Sequence, residues 1–330
     1  MLLHILGSAA GGGFPQWNCG CGTCSSARRD PSVSARTTCS LVLSSGDGHW
    51  FLVNAAAEIG MQVAGCSSLW PPPGTRDTPI DGVLLTDAEL DHTLGLLAMR
   101  HASVLDVYST PTVRALLDAA GLSAILAAYV ELRWHDVCPG VAFGLHARDG
   151  SDAGLRCEAV SVGTGRVPRY AQRYVQEFDQ DRLEMAVVAY RVLDTRCGVS
   201  ALIMPTAPRI PAGLIRGSDD ILVLDGTFWA DDELGLPGRS AADLGHVPLN
   251  GSSGTLAVIM KLEQSGPRKP RLVYTHFNNT NPVLADSVQR RMLISAGAEL
   301  AYDGMEIRLE QIGTAGERSD HDRYESGAHT

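Results

Sequence analysis

One short polar segment constrains the fold of this chain more than any other: residues 86–92 read Thr-Asp-Ala-Glu-Leu-Asp-His. It directly follows the apolar run 82–85, which has the length and composition of a short buried strand. The segment therefore puts three carboxylates and one imidazole, all able to bind a metal ion, on one loop at a sheet edge. These side chains belong to Asp87, Glu89, Asp91 and His92. The sequence thus predicts a sheet with a metal centre at its edge.

Composition excludes several classes of function. A net charge of −10 argues against a nucleic-acid partner, because polyanion binding normally needs clustered Lys and Arg. No apolar run approaches the roughly 20 residues of a membrane span, so we expect no membrane association. The start, residues 1–7, lacks the basic region of a signal peptide and is typical of a first strand. The eight cysteines form no disulfide pattern, which fits a reducing cytoplasm.

Short apolar runs separated by helical segments predict the fold class. Runs of strands broken by helices in each half of the chain favour α/β (α+β) architecture, with two packed mixed sheets and outer helices in an αββα sandwich. We expect one domain over residues 1–312 and a disordered polar tail over 313–330. The predicted strands are 2–6, 41–44, 51–54, 82–85, 104–108, 185–192, 201–204, 221–224 and 272–274. The predicted helices run from Thr110-Pro111 to near Gly121, from Ser252-Ser253 through Glu263, and from Asn281-Pro282 to a stop at Gly297.

Three further polar side chains follow predicted strands or lie in glycine-bounded loops. Asp225 ends the run 221–224, and His276 follows the run 272–274. At such strand ends both side chains can reach the metal loop, although a turn aspartate and a structural histidine are the alternatives. His246 stands between Gly245 and a Val-Pro pair, where it would act as an acid or base, as an orienting donor, or only as a surface histidine.

A cysteine cluster predicts a second metal site. Cys19, Cys21 and Cys24 place three thiolates within six residues, a spacing at which sulfur ligands fold around one tetrahedral zinc ion. The alternative is three reduced surface thiols. We expect a small structural zinc loop over residues 15–27, because sulfur ligands leave zinc little Lewis acidity for a substrate. No fourth ligand stands in the local sequence.

The chain resembles the coenzyme PQQ biosynthesis protein B family, in the tRNase Z and phosphodiesterase branch of the metallo-β-lactamase superfamily. The resemblance covers nearly the whole chain. It is carried by the block Gly7-Ser-Ala-Ala-Gly-Gly-Gly-Phe-Pro-Gln-Trp-Asn-Cys19, by Leu90-Asp-His-Thr-Leu-Gly-Leu96, Asp225-Gly-Thr-Phe-Trp229, Gly245-His246, His276-Phe-Asn-Asn-Thr-Asn-Pro282 and Tyr302-Asp-Gly-Met305.

The resemblance implies an altered metal centre. The superfamily loop reads His-x-His-x-Asp-His, and Asp87 and Glu89 stand where its first two histidines belong. Gly165 stands where the branch has a third histidine of the same site. The second site is kept as Asp91, His92 and His276, with Asp225 as an additional candidate ligand. At the zinc loop, related phosphodiesterases have a histidine as the fourth ligand at the position of Asn279, which is a poor zinc ligand. A carboxylate such as Asp303 in its place, or an incomplete site, are the alternatives.

From these replacements the resemblance implies an Fe(II)-dependent oxygenase with Zn(II) as a structural metal. The implied substrates are O2 and a small tyrosine-containing peptide such as Glu-Tyr, with His246 and Asp225 as catalytic groups. Arg166, Arg169 and Tyr170, in the predicted loop 163–181, are candidate substrate contacts. Other cofactor-biosynthesis proteins and a second copy of the chain are candidate partners.

Two other functions stay open at this point. A metal-dependent hydrolase of phosphodiesters or peptides would need Asp87 and Glu89 to hold a second metal ion. A non-catalytic carrier would bind the finished cofactor without turnover.

Overall fold

Two seven-stranded mixed sheets form the centre of the structure. The structure is a computed structural model and describes residues 1–235, 237–263 and 269–310. The first sheet has the order β14-β1-β2-β3-β4-β5-β6 and the second the order β13-β12-β11-β10-β9-β8-β7. The strands are β1 (Leu2–Gly7), β2 (Ser40–Ser44), β3 (Trp50–Val53), β4 (Ile80–Leu84), β5 (Val104–Ser109), β6 (Glu131–Asp136), β7 (Ala142–His146), β8 (Asp152–Ser161), β9 (Val188–Asp194), β10 (Val199–Met204), β11 (Ile221–Asp225), β12 (Arg271–Thr275), β13 (Ala298–Leu300) and β14 (Met305–Arg308).

Helices cover the outer faces of both sheets. The α-helices are α1 (Gly22–Ala27), α2 (Ile59–Ala64), α3 (Leu90–Thr93), α4 (Gly95–Ala98), α5 (Pro111–Ala119), α6 (Leu122–Ala127), α7 (Gln180–Glu184), α8 (Thr255–Glu263) and α9 (Val288–Ser295). Short 3-10 helices span 67–69, 99–101, 169–177, 242–244 and 282–284. The structure confirms the predicted αββα sandwich.

Strand alternation explains the layers. Leu41 and Leu43 of β2 point between the sheets, where they join Tyr190 of β9 and Val223 of β11 in one buried cluster. Val42, between them in the sequence, belongs to the cluster under the helices of the first sheet. Successive side chains of a strand point to opposite faces, so strands with apolar residues at every position are buried on both sides.

The polar segments meet at one edge of the sandwich because the strands that precede them run in parallel. In the first sheet β3, β4, β5 and β6 are parallel neighbours, and in the second β10 to β13 are. The segment after β4 is attached to the second sheet: the hydroxyl of Tyr190 donates to the Leu85 carbonyl at 2.9 Å, and the Val188 amide donates to the Thr86 carbonyl at 2.8 Å. The ends of β4, β11 and β12 are thereby brought together.

Several predicted boundaries were wrong. The third predicted helix is interrupted: Asn281 caps only the 3-10 turn 282–284, and α9 begins later with Ser287 as its cap. The strand expected over 185–192 begins at Val188, because Met185 closes α7. The loop expected over 163–181 contains the 3-10 helix 169–177 and the start of α7.

The predicted tail 313–330 lies outside the described residues. Among the helices that are described, none is both long and apolar enough to cross a membrane.

Candidate metal centre

Asp91, His92 and His276 come together at the edge where β4 and β12 end. Their ligand atoms lie within 4.8 Å of one another. Asp91 Oδ2 is 3.4 Å from His276 Nε2 and 3.9 Å from His92 Nε2. Ligands about 2.1 Å from a shared ion are separated by about 3.0 Å in octahedral and about 3.4 Å in tetrahedral geometry. The 3.4 Å separation matches the tetrahedral value and the 3.9 Å separation is slightly longer, so the three side chains predicted from the sequence could hold one metal ion.

His92 is oriented by Asp87. Both carboxylate oxygens of Asp87 lie 2.8 Å from Nδ1 of His92, and both residues are buried. The opposite ring atom, Nε2, is buried and has no hydrogen-bond partner. A buried polar atom without a partner is costly, and a ligated histidine commonly bonds a carboxylate through its other nitrogen. The donor set thus fits a metal ion at Nε2.

Burial and charge act in opposite directions on this pair. Burial alone would lower the pKa of His92, but the carboxylates of Asp87 and Asp91 outweigh it and raise that pKa to about 9. Burial would likewise raise the pKa of Asp87, but the adjacent His92 lowers it. The negative charge around His92 that favours a proton on this imidazole would also favour a metal cation at Nε2.

His276 is oriented by a chain of two groups. Thr227 Oγ1 lies 2.6 Å from Asp225 Oδ1 and 2.8 Å from His276 Nδ1. The hydroxyl has one proton, which it donates to the carboxylate, so its oxygen accepts the Nδ1 proton of His276 and leaves Nε2 to face Asp91. The backbone at His276 is left-handed, with φ of +61°. Such a conformation in a residue other than glycine is typical of functional sites.

Asp225 forms hydrogen bonds through both of its oxygens. Oδ1 accepts from the amide and hydroxyl of Thr227, and Oδ2 accepts from the Ala207 amide at 2.8 Å and lies 2.8 Å from His246 Nδ1. Asp225, His246 and His276 form a second group whose ligand atoms lie within 4.8 Å. Four donors already surround this fully buried carboxylate. Asp225 therefore orients His246 directly and His276 through the Thr227 hydroxyl.

Glu89 is paired with Arg166. Arg166 Nη1 lies 3.0 Å from Glu89 Oε1, so this arginine, expected to contact substrate, is already engaged by a side chain of the metal loop. Burial and the nearby Asp87 raise the pKa of Glu89, and Arg166 opposes that rise. Gly165 has φ of +86°, a backbone conformation that residues other than glycine rarely adopt.

Of the other two candidate contacts, Tyr170 donates its hydroxyl to the Ala88 carbonyl at 2.6 Å. Arg169 is exposed and lines a cavity beside the metal loop.

The structure also gives two residues roles that the sequence did not indicate. Thr227 is visible in the sequence only as part of Asp-Gly-Thr, and no signal marked Asp87 as the partner of His92.

The predicted zinc loop forms a second cluster. The sulfur atoms of Cys19, Cys21 and Cys24 lie within 4.8 Å of one another, and the Asn279 amide donates to them at 3.1, 3.6 and 3.4 Å. Burial would raise the pKa of Cys21, but hydrogen bonds from Thr23 and from the neighbouring cysteines lower it to about 7. Thiolate character favours zinc, so the three sulfurs could hold one ion, with the Asn279 amide beside them.

Asp303, the alternative fourth ligand, is bound elsewhere. It accepts hydrogen bonds from the Ser8 hydroxyl and from Thr37, so it does not serve the cysteine cluster.

We expect Cys21→Ser to release one equivalent of zinc and to lower Tm by about 5 °C or more, because metal binding is coupled to folding. Elemental analysis and thermal unfolding measure the two effects. Cys138→Ser is the matched control, since Cys138 is exposed and outside the cluster. A Cys21→Ser protein that lost activity but kept its Tm would contradict a structural role.

The chain is similar to known proteins over most of its length. A family model described as Beta-lactamase superfamily domain matches residues 49–277. The chain is 40% identical to Coenzyme PQQ synthesis protein B of Cupriavidus necator over 93% of this chain and 99% of the relative. Among solved structures, Zn(2+)-bound PqqB from Methylobacterium extorquens is 31% identical, with a TM-score of 0.78 over 94% of this chain and 100% of that one. A diphosphatase of the PhnP family shares the fold, at 21% identity and a TM-score of 0.63 over 94% of this chain and 98% of that one.

Proposed function

The chain belongs to the coenzyme PQQ synthesis protein B family of the metallo-β-lactamase superfamily, and we propose that it is an iron-dependent oxygenase. In this proposal it hydroxylates the tyrosine ring of a small peptide such as Glu-Tyr during assembly of a PQQ-type cofactor. Iron(II) is held by Asp91, His92 and His276, and zinc is a structural metal at the cysteine cluster. Zinc is present in the relative from Methylobacterium extorquens, which supports metal binding in the family.

One observation carries the proposal: two imidazoles and one carboxylate converge on a single point, while the groups that would hold a second ion are engaged. Asp87 bonds His92, and Glu89 bonds Arg166. A set of two histidines and one carboxylate with open positions is typical of non-haem Fe(II) oxygenases. Hydrolases that use two metals hold them about 3.5–4 Å apart and need ligands for both.

The proposed reaction is balanced without a further reductant. A phenol and O2 give an ortho-quinone and water: one oxygen atom enters the ring, the other leaves as water, and the ring supplies the four electrons. The role of iron(II) would be to bind and activate O2. A catechol is the intermediate oxidation level of the ring.

The residues of the chain position the substrate and move its protons. His246 lines the cavity at the metal centre, and Phe228 contacts its ring edge with centroids 5.7 Å apart. Its Nδ1 is held by Asp225, so Nε2 is the atom available to take the phenolic or the ring proton. Only 12% of this side chain is exposed, which limits competition from solvent.

Reconstitution under anaerobic conditions tests the proposal. We expect protein loaded with iron(II) to convert Glu-Tyr to a quinone product only after O2 is added, with one oxygen atom derived from 18O-labelled O2. Elemental analysis of anaerobically purified protein should show iron. Turnover of phosphodiesters with paired zinc would instead support the hydrolase, and tight binding of the finished cofactor without turnover would support the carrier.

A further inference from the structure

The candidate metal centre lies in a cleft that has two chambers. The inner chamber, of about 220 Å³, is lined by the metal-binding side chains, by His246 and by Thr206. The outer chamber, of about 630 Å³, is lined by Glu58, Arg169 and Tyr170 among others. The two chambers share Gly11, Glu89 and Asp91 along their walls and therefore adjoin. A ligand could fill both at once.

Polar atoms without partners are concentrated in this cleft. Five buried side-chain atoms in the described part of the chain have no hydrogen-bond partner, and three of them belong to residues that line the chambers. These three are His92 Nε2, Thr206 Oγ1 and Glu58 Oε2. Folded proteins satisfy most of their buried polar atoms, so the concentration indicates groups that a ligand completes.

Glu58 is the group that the proposed metal chemistry leaves unexplained. Its Oε1 accepts from the Thr38 hydroxyl at 3.1 Å, whereas its Oε2 is buried and accepts nothing. Glu58 is also the residue before α2, but its side chain makes no capping hydrogen bond to that helix. Among the described residues it forms no ion pair. A carboxylate with one spare buried oxygen is suited to a cation, and a charge-assisted hydrogen bond to an ammonium group is the strongest use of it.

The same chamber also contains a positive group. Arg169 lines it and forms no ion pair with any described residue, in contrast to Arg166, which bonds Glu89. Glu58 and Arg169 do not pair with each other, although they line one cavity. A zwitterionic ligand would satisfy both groups, since an ammonium end suits the carboxylate and a carboxylate end suits the guanidinium.

We infer that Glu58 binds the free amino terminus of the substrate, so that the cleft selects short peptides over tyrosine embedded in a longer chain. Arg169 binds a substrate carboxylate in the outer chamber. The phenol extends into the inner chamber, where the Thr206 hydroxyl supplies a hydrogen bond to its oxygen. The identity of the phenol rests on the proposed function, while the amino-terminal site rests on Glu58.

Binding without turnover tests this inference. Isothermal titration calorimetry is performed without O2, on the protein as purified, with Glu-Tyr and N-acetyl-Glu-Tyr. Acetylation removes the ammonium charge, and Glu58→Gln removes the carboxylate while keeping an acceptor for Thr38. We expect each change alone to weaken binding about tenfold, and the acetylated peptide to bind wild type and Glu58→Gln equally, because both changes remove the same interaction.

Glu131→Gln is the matched control. Glu131 begins β6, at the end of the first sheet opposite to the metal loop, and its exposed side chain pairs with Arg133. This variant should bind Glu-Tyr like wild type, and thermal unfolding should show that Glu58→Gln is folded.

Equal binding of both peptides by wild type, unchanged affinity in Glu58→Gln, or no binding of Glu-Tyr would overturn the inference. Binding as expected, with no O2-dependent product, would instead contradict only the oxygenase function.

Discussion

His276→Ala is expected to abolish metal binding at the candidate centre, and with it the proposed oxygenase activity, while the protein stays folded. The substitution removes the side chain that follows β12 and completes the group with Asp91 and His92. Loss of a direct ligand should weaken metal binding more than the 10- to 100-fold typical of groups that only orient a ligand. Elemental analysis of the purified variant measures the metal content directly.

We expect only a small change in stability for this variant. The left-handed backbone at position 276 is strained with histidine and with alanine alike, and Thr227 keeps its hydrogen bond to Asp225. Tm should therefore fall by no more than a few degrees. His135→Ala is the matched control, since that ring stacks on Tyr108 in a different cavity. Full metal content in His276→Ala would refute the proposed ligand set.

The second large effect is expected for Asp87→Asn. The carboxylate of Asp87 holds the Nδ1 proton of His92 and thereby presents Nε2 to the metal. The amide of asparagine carries no negative charge and is a weaker acceptor than the carboxylate. Affinity for the metal ion at this centre should therefore fall about 10- to 100-fold. Competition with a chelator of known affinity measures this change independently of activity.

Asp106→Asn supplies the matched control for this experiment. Asp106 Oδ1 lies 2.7 Å from His135 Nε2, so these two residues form an aspartate–histidine pair outside the cleft. This variant should bind metal like wild type. If Asp87→Asn also retained the wild-type affinity, Asp87 would not be a positioning residue for His92.

The two candidate metal sites are joined by one segment. His276 belongs to the active-site set, and Asn279, three residues later, contacts all three cysteine sulfurs. The hydroxyl of Thr23, within the cysteine loop, also donates to the Asn279 carbonyl at 2.5 Å. The cysteine loop therefore restrains the backbone that carries His276, so a metal ion at the cysteines would also affect the candidate metal centre.

The strands that the sequence predicted are those buried on both faces. β1, β4 and β11 are buried at every position except Leu2, and their predicted positions agree with the structure to within a few residues. The prediction missed the edge strands β6, β7, β13 and β14, and also β8, which pairs with β7. β6 has only exposed and half-buried positions and reads Glu-Leu-Arg-Trp-His-Asp, and β7 has a single buried position. Such edge strands form because a neighbour supplies hydrogen bonds, which their own sequence does not indicate.

By itself, the sequence determined which side chains can form the site. A strand that ends in Asp-x-Glu-x-Asp-His, a second that ends in Asp-Gly-Thr and a third that ends before His276 are local patterns, and parallel strands bring such ends to one edge. The cysteine cluster is equally local, with its three sulfurs within six residues.

Only the tertiary structure decided what each of these groups does. Asp87 and Glu89 resemble ligands in the sequence, yet one bonds His92 and the other bonds Arg166, a residue 77 positions away. The free oxygen of Glu58 in the outer chamber has no sequence signal at all. The physical reason is that hydrogen bonds and charge pairs depend on distances that exist only after distant segments pack together, whereas residue type and strand position are written in the local chain.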